Sequence, residues 1–280
     1  MAPKAPQIAT AQDTLEDLLN PQRHRRSSTP LRRDFLQHAK KKNTPGPLVK
    51  FVEQRRGLAL DLFLLLHCAA SGGEFDVELP AMAWARALDL SQTVSSETTI
   101  SKNWTWLEKQ QLIRSEKHNR LRRAYLMRED GLGAEYTKPK KGEGHGFFYL
   151  PYDFFLQRWH KKLSLRARAT LLICMAQNEV FELRTEHATR WYGLSPDSMQ
   201  RGMVELRDAR LLRSWLDYRP APRARLGFTQ VNLNRLLPPF AKATPETEQT
   251  AAAAKKTVRR KAKKTAPKRT SAARRSHDNG

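Results

Sequence analysis

The sequence predicts a mainly α-helical chain with small β-hairpins, an α+β architecture of two similar domains in series between basic ends that lack a core. Three observations predict it. Two blocks repeat one order of apolar patterns, each block closes on two extended stretches around a basic turn, and both ends are too poor in apolar side chains to pack. The boundaries read from composition are a mostly disordered basic arm at 1–50, a first domain at 51–128 and a flexible linker at 129–146. A second domain follows at 147–240, then a disordered Lys/Ala/Pro-rich tail at 241–280.

Charge narrows the partners. The 280 residues carry 51 Lys+Arg against 28 Asp+Glu, a formal +23. Such an excess points to a polyanion, with nucleic acid ahead of anionic lipid. The tail holds twelve basic and three acidic side chains, a net +9, so the remainder still carries +14. No apolar run is long enough for a membrane span, because the best candidate, 58–70, is short and interrupted by Asp61 and His67. No apolar stretch near the N-terminus reads as a secretory signal. Cys68 and Cys174 sit inside apolar helical patterns, which excludes a disulfide framework and a CxxC zinc site. A soluble cytoplasmic protein is expected.

The elements follow in order. In the arm, a short amphipathic stretch at 14–20 precedes Arg23, Arg25, Arg26, Arg32, Arg33 and Lys40 to Lys42, interrupted by Pro30. Each block then opens on an apolar helix, 58–70 and 165–177. A β-like segment comes next, 75–79 and 181–184, and then a short helix, 81–88 and 186–192. After a turn comes a longer helix, whose N-caps are expected at Ser96 and Ser195, each eleven residues before a leucine, Leu107 or Leu206. Pro196 suits the first helical position. Met199, Gly202, Met203 and Leu206 form one buried stripe, matched by Ile100, Asn103, Trp104 and Leu107; the polar Asn103 departs from the pattern. Trp104 and Trp106 read as core and flank. The extended stretches 112–116 and 121–127 surround one basic turn, and 211–218 and 227–233 surround the other.

This order of helix, strand, helix, turn, helix and hairpin resembles the winged helix-turn-helix fold, present twice. Tyr192-Gly193-Leu194-Ser195-Pro196-Asp197-Ser198-Met199, followed by Leu206 and Leu211-Leu212, closely resembles bacterial regulators of the MarR and GntR type. The lead-in Phe147-Phe148-Tyr149-Leu150-Pro151-Tyr152-Asp153-Phe154-Phe155 resembles the segment before winged helices in plasmid and phage replication proteins. Two winged helices in series is also the layout of many plasmid replication initiators.

A capped helix with small and polar residues at its start fits the major groove. Opposite its buried stripe the second helix carries Asp197, Ser198, Gln200 and Arg201, and the first carries Thr98, Thr99, Ser101 and Lys102. Gln200 suits adenine, and Arg201 suits guanine or a phosphate. The wing tips offer Lys117, Arg120, Arg219, Arg223 and Arg225 to phosphates or the minor groove. The tail, with Lys255, Lys256, Arg259, Arg260, Lys261, Lys263, Lys264, Lys268 and Arg269, is similar to linker-histone tails and lacks an Arg-Gly-Arg-Pro core. Its expected role is sequence-independent, salt-sensitive neutralisation of phosphates.

Catalytic patterns are missing from the sequence. It has no paired histidines of a rolling-circle nuclease, no GxxxxGK[ST] phosphate loop and no HExxH, so no enzyme, cofactor or metal is expected. His187, Arg190 and Tyr192 do not have the spacing of a tyrosine recombinase. The expected function is non-enzymatic binding of double-stranded DNA, first as a bacterial-type transcription regulator. The alternatives are a plasmid or phage replication initiator and a nucleoid-packaging protein. An RNA- or ribosome-associated protein is the fourth reading, without an RNP-like aromatic motif to support it. Partnership with a second copy, or with transcription or replication machinery, stays open; nucleoid association follows from the DNA reading and no membrane partner is expected.

Overall fold

The computed structural model describes residues 8–20, 26–38, 44–70, 73–118 and 121–242. The chain divides into two units, Met1–Ala241 and Lys242–Gly280, and all the helices and strands among the described residues lie in the first.

Thr10 starts the first helix, α1 (Ala11–Leu18). Its hydroxyl accepts from the Asp13 amide at 3.1 Å, and the Asp13 carboxylate accepts from the Thr10 amide at 2.9 Å, a capping box. Strand β1 (Ser28–Arg32), a 3-10 turn (Arg33–Phe35) and helix α2 (Leu48–Glu53) lead into α3 (Gly57–Ala69). Every residue of α3 from Ala59 to Cys68 is buried, as expected of a helix apolar around its whole circumference. Strand β2 (Asp76–Leu79), helices α4 (Ala81–Ala87) and α5 (Val94–Lys109), and the hairpin of β3 (Ile113–His118) and β4 (Leu121–Leu126) complete the first block.

The second block repeats the sequence of elements after β5 (Phe147–Pro151) and the short helices α6 (Asp153–Leu156) and α7 (Trp159–Lys162). It consists of α8 (Leu165–Met175), β6 (Phe181–Glu182), a 3-10 turn (Thr185–His187), α9 (Ala188–Tyr192), α10 (Pro196–Asp208), β7 (Leu212–Pro220) and β8 (Phe228–Leu236). The fold is mixed α/β with small antiparallel sheets, in orders β1-β5, β2-β4-β3 and β6-β8-β7.

The repetition extends to single hydrogen bonds. Gln111 and Arg210 both take a left-handed backbone, φ 56° and 58°, as their helices end. The Leu112 amide then reaches the Leu107 carbonyl at 3.2 Å, and the Leu211 amide reaches the Leu206 carbonyl at 2.8 Å. Ile113 pairs with Leu126 as Leu212 pairs with Leu236. Each hairpin therefore leaves its helix by the same geometry.

Of the two expected caps, one holds and one does not. Ser195 caps α10, its hydroxyl accepting from the Ser198 amide at 3.1 Å with Pro196 next in line. Ser96 is not a cap. Helix α5 begins earlier, after Thr93, and Ser96 lies inside it, buried, with its hydroxyl 3.2 Å from Ser91 Oγ and 3.3 Å from Thr93 Oγ1. Asn103 is satisfied within its own helix, donating to the Thr99 carbonyl at 2.8 Å. Trp104 is buried against Trp84, and Trp106 donates to Gln54 at 2.8 Å.

The arm and the linker are stitched together where they are described. β1 pairs with β5 from Ser28↔Pro151 to Arg32↔Phe147. Arg32, read from composition as solvated, is buried: it donates to Glu129 at 2.8 Å and to the Thr137 carbonyl at 2.7 Å. Burial pushes the Glu129 carboxyl up while Arg32 draws it down. Tyr136 packs its ring on Phe75 and His67, at centroid distances of 4.8 and 5.4 Å. Burial holds His67 down to about 3 and therefore neutral. Glycines at 131, 133, 142, 144 and 146 serve turns with positive φ around these anchors. The two blocks also meet directly, through a buried ion pair of Asp61 on α3 with Arg168 on α8.

Candidate nucleic-acid interface

Packing against α8 orients α10. A Cβ at Gly202 would stand 2.3 Å from Thr170 Oγ1, so the helices approach closely along the buried stripe. Glu205 locks the arrangement, accepting from the Ser164 amide at 2.6 Å and the Ser164 hydroxyl at 2.5 Å at the start of α8. The opposite face of α10 is therefore held outward. On it Asp197, Gln200 and Arg201 are exposed and Ser198 is half-buried. Arg201 Nε donates to Asp197 Oδ1 at 3.0 Å, one turn back, in a pair whose side chains are 64% and 66% exposed. Such a pair is worth about 0.3–0.5 kcal/mol, little enough to be given up to another anion or a base.

α5 presents a different surface. Thr98 and Lys102 are exposed, Thr99 and Ser101 half-buried. The Thr98 and Thr99 hydroxyls donate to the Val94 and Ser95 carbonyls at 3.1 and 2.9 Å, leaving their oxygens as acceptors. Beside them runs an open cleft of about 440 Å³ lined by Arg56, Thr98, Ser101, Lys102, Trp106 and Lys109. Arg56 lies over the Trp106 ring at 5.8 Å. Arg56, Lys102 and Lys109 form no ion pair among the described residues. The sequence reading missed Arg56 and Lys109. Lys109 sits two turns along the helix from Lys102, a visible signal, whereas Arg56 arrives from before α3 and no local spacing announces it. On the other flank of α5, a cleft of about 590 Å³ runs toward the hairpin, with Glu97, Ser101, Trp104, Lys117 and Arg122 in its walls.

The two hairpins differ in how their arginines are paired. On the first, Arg114 pairs with Glu116, Arg122 with Ser115 and Glu108, and Arg123 with Asp76 at 2.6 Å. The Asp76 hydrogen bond raises Arg123 further above its ordinary value. Lys117 is exposed; Arg120 lies outside the described residues. On the second, Arg219 pairs with Glu182 at 3.1 Å, while Arg223 and Arg225 are exposed and form no ion pair among the described residues. The tail residues from Lys255 to Arg269 also lie outside the described residues.

No family model, curated protein or solved structure matches this chain. What its surface can bind follows from its own residues. Among those described, no group of three or more His, Cys, Asp or Glu is placed to hold a metal ion, and no helix is long and apolar enough to cross a membrane. Cys68 and Cys174 are buried, and burial pushes the Cys174 thiol up to about 12. Neither is poised as a nucleophile.

Proposed function

We propose that the chain is a non-enzymatic, double-stranded-DNA-binding protein whose two blocks are winged helix-turn-helix domains. One observation carries the reading. α10 is capped by Ser195, holds Asp197, Gln200 and Arg201 outward, and leads within four residues into a basic hairpin, and the same order recurs at α5. A helix held this way enters the major groove with its first turns toward base edges, and the adjoining hairpin meets the flanking backbone. Gln200 offers adenine a bidentate pair, and Arg201 offers guanine one once it leaves Asp197. Neither helix is strongly basic, so affinity comes from cations on and around them: Lys102 and Lys109 on α5 with Arg56 beside it, and Arg223 and Arg225 beyond α10. Transcription regulation and replication initiation both use this chemistry. They separate by where the bound sites fall, scattered among promoters or clustered at an origin.

Arg201→Ala is expected to weaken binding to a duplex selected from a random pool by about 1–3 kcal/mol and to relax preference at one base position. Binding to duplexes of unrelated sequence should change little. Anisotropy titrations of both duplexes check it, and an equal loss on the two would place Arg201 on phosphate, not on a base.

A further inference from the structure

The outer half of the β7–β8 hairpin is the least sheltered apolar surface of the second block. Strand β6 pairs with β8 only at Phe181↔Asn234 and Glu182↔Leu233. From Leu216↔Asn232 to Pro220↔Phe228 the hairpin therefore continues as a two-stranded ribbon, about 15 Å long before its tip. Leu216 and Tyr218 are each 57% exposed, Leu226 is 68% and Phe228 is 40%. The register puts Leu216, Tyr218 and Phe228 on one face, and the Tyr218 and Phe228 rings meet edge-on at 5.3 Å. Backbone bonds order the tip: the Ala221 amide reaches the Gly227 carbonyl at 2.8 Å, and the Gly227 amide reaches the Ala224 carbonyl at 2.9 Å. Arg223 and Arg225 stand within that tip, next to Leu226.

The first hairpin is an internal comparison. It has the same topology, yet none of its described large apolar side chains is exposed, and Arg114, Arg122 and Arg123 are each bound to a carboxylate. Among the described residues, only the second hairpin combines exposed apolar side chains with unpaired guanidinium groups. A surface that covers Leu226 and Phe228 must carry negative charge within one or two residues of them. The minor groove of duplex DNA has that construction, with phosphates on both rims and base steps between that apolar side chains can enter.

We propose that the β7–β8 ribbon is a wedge. Leu226 and Phe228 enter the minor groove and partly unstack a base step, Arg223 and Arg225 hold the phosphates on either side, and the duplex bends. This rests on the DNA-binding reading of α10 and adds that the bound duplex is distorted. Pyrimidine–purine steps, the easiest to unstack, are the preferred point of entry.

The test uses the full chain and a mixed-sequence duplex with 2-aminopurine at its TpA steps and a donor–acceptor dye pair at its ends. Occupancy is read separately by anisotropy. At saturation, 2-aminopurine emission should rise several-fold and energy transfer between the ends should increase. The double variant Leu226→Ser, Phe228→Ser, changed only at exposed positions, should lose most of both signals while still reaching saturation. Arg223→Ala with Arg225→Ala should weaken binding and keep the signals at saturation. Full occupancy without emission or transfer changes, or signals that survive in the serine variant, would overturn the wedge and leave the DNA reading standing. Self-association of the DNA-free chain that the serine variant abolishes would assign the ribbon to a second copy and overturn it too. Failure to bind any duplex would overturn the DNA reading, and the wedge with it.

Discussion

Replacing Arg168 with methionine is expected to lower the unfolding free energy by about 3–5 kcal/mol, because it leaves the Asp61 carboxylate buried without its partner. The pair joins the lead helices of the two blocks, so its loss acts on the whole first unit. Burial pushes the Asp61 carboxyl up to about 6, and Arg168 opposes that push without cancelling it. The sign follows from the direction. A carboxyl raised above its ordinary 3.8 contributes stability in full below that value and loses it as pH rises through about 6. With Arg168 gone the carboxyl is pushed higher still. The deficit should then be largest at neutral pH and above, and shrink in mild acid, where Asp61 is protonated and no longer needs a cation. Replacing both residues, Asp61→Leu with Arg168→Met, should be neutral or stabilising by about 1–4 kcal/mol. Urea unfolding of the three chains in neutral and mildly acidic buffer checks it; a double variant as unstable as the single one would show that the ion pair is not the cause.

Gly193→Ala should cost about 2–5 kcal/mol, from two separable sources. Gly193 ends α9 at φ 68°, where a side chain costs roughly 1–2 kcal/mol. A Cβ there would also stand 2.1 Å from Val49 Cγ2 and 2.8 Å from Val49 Cβ, overpacking worth about 1–3 kcal/mol more. Gly227 supplies the control. Its φ is 73° but a Cβ would meet nothing within 4 Å, so Gly227→Ala should show the backbone cost alone. Thermal unfolding of the two variants separates the terms, and equal losses would refute a close approach of Val49. Because Gly193 sets the entry of α10, its substitution should also weaken duplex binding in conditions where the variant remains folded.

What the sequence could announce was whatever depends on near neighbours. Ser195-Pro196 with its apolar stripe identifies α10 because capping, first-turn proline and burial period all act within four turns. The same counting failed by three residues at α5. Ser91 and Thr93 stand before Ser96 as further hydroxyl residues, and the longer turn there removes the spacing constraint. Long-range partners left no local trace. β1 is a strand because Phe147–Pro151 lies beside it, and Arg32 is buried because Glu129 and Thr137 come to meet it; composition alone counted that arginine as mobile charge. The hairpin arginines were legible as basic turn residues, but their difference was not. Whether a guanidinium is paired depends on carboxylates such as Asp76, Glu108 and Glu182 reaching the hairpin from other elements. The exposed Tyr218 and Phe228 read from sequence as ordinary strand residues. They are exposed because the hairpin runs on past the three-stranded part of its sheet, which no local pattern announces.

The most direct test of sequence-directed duplex binding is competition with the full chain at physiological salt. A labelled duplex selected from a random pool is displaced by the same duplex unlabelled, by its shuffled sequence, and by a structured RNA of equal length. If the exposed faces of α10 and α5 read bases, the shuffled duplex should need at least about a thousandfold more to displace the label, and the RNA as much or more. Displacement by shuffled duplex or RNA at the concentration of the selected duplex would contradict it, and would leave only the charge of the chain to explain its binding.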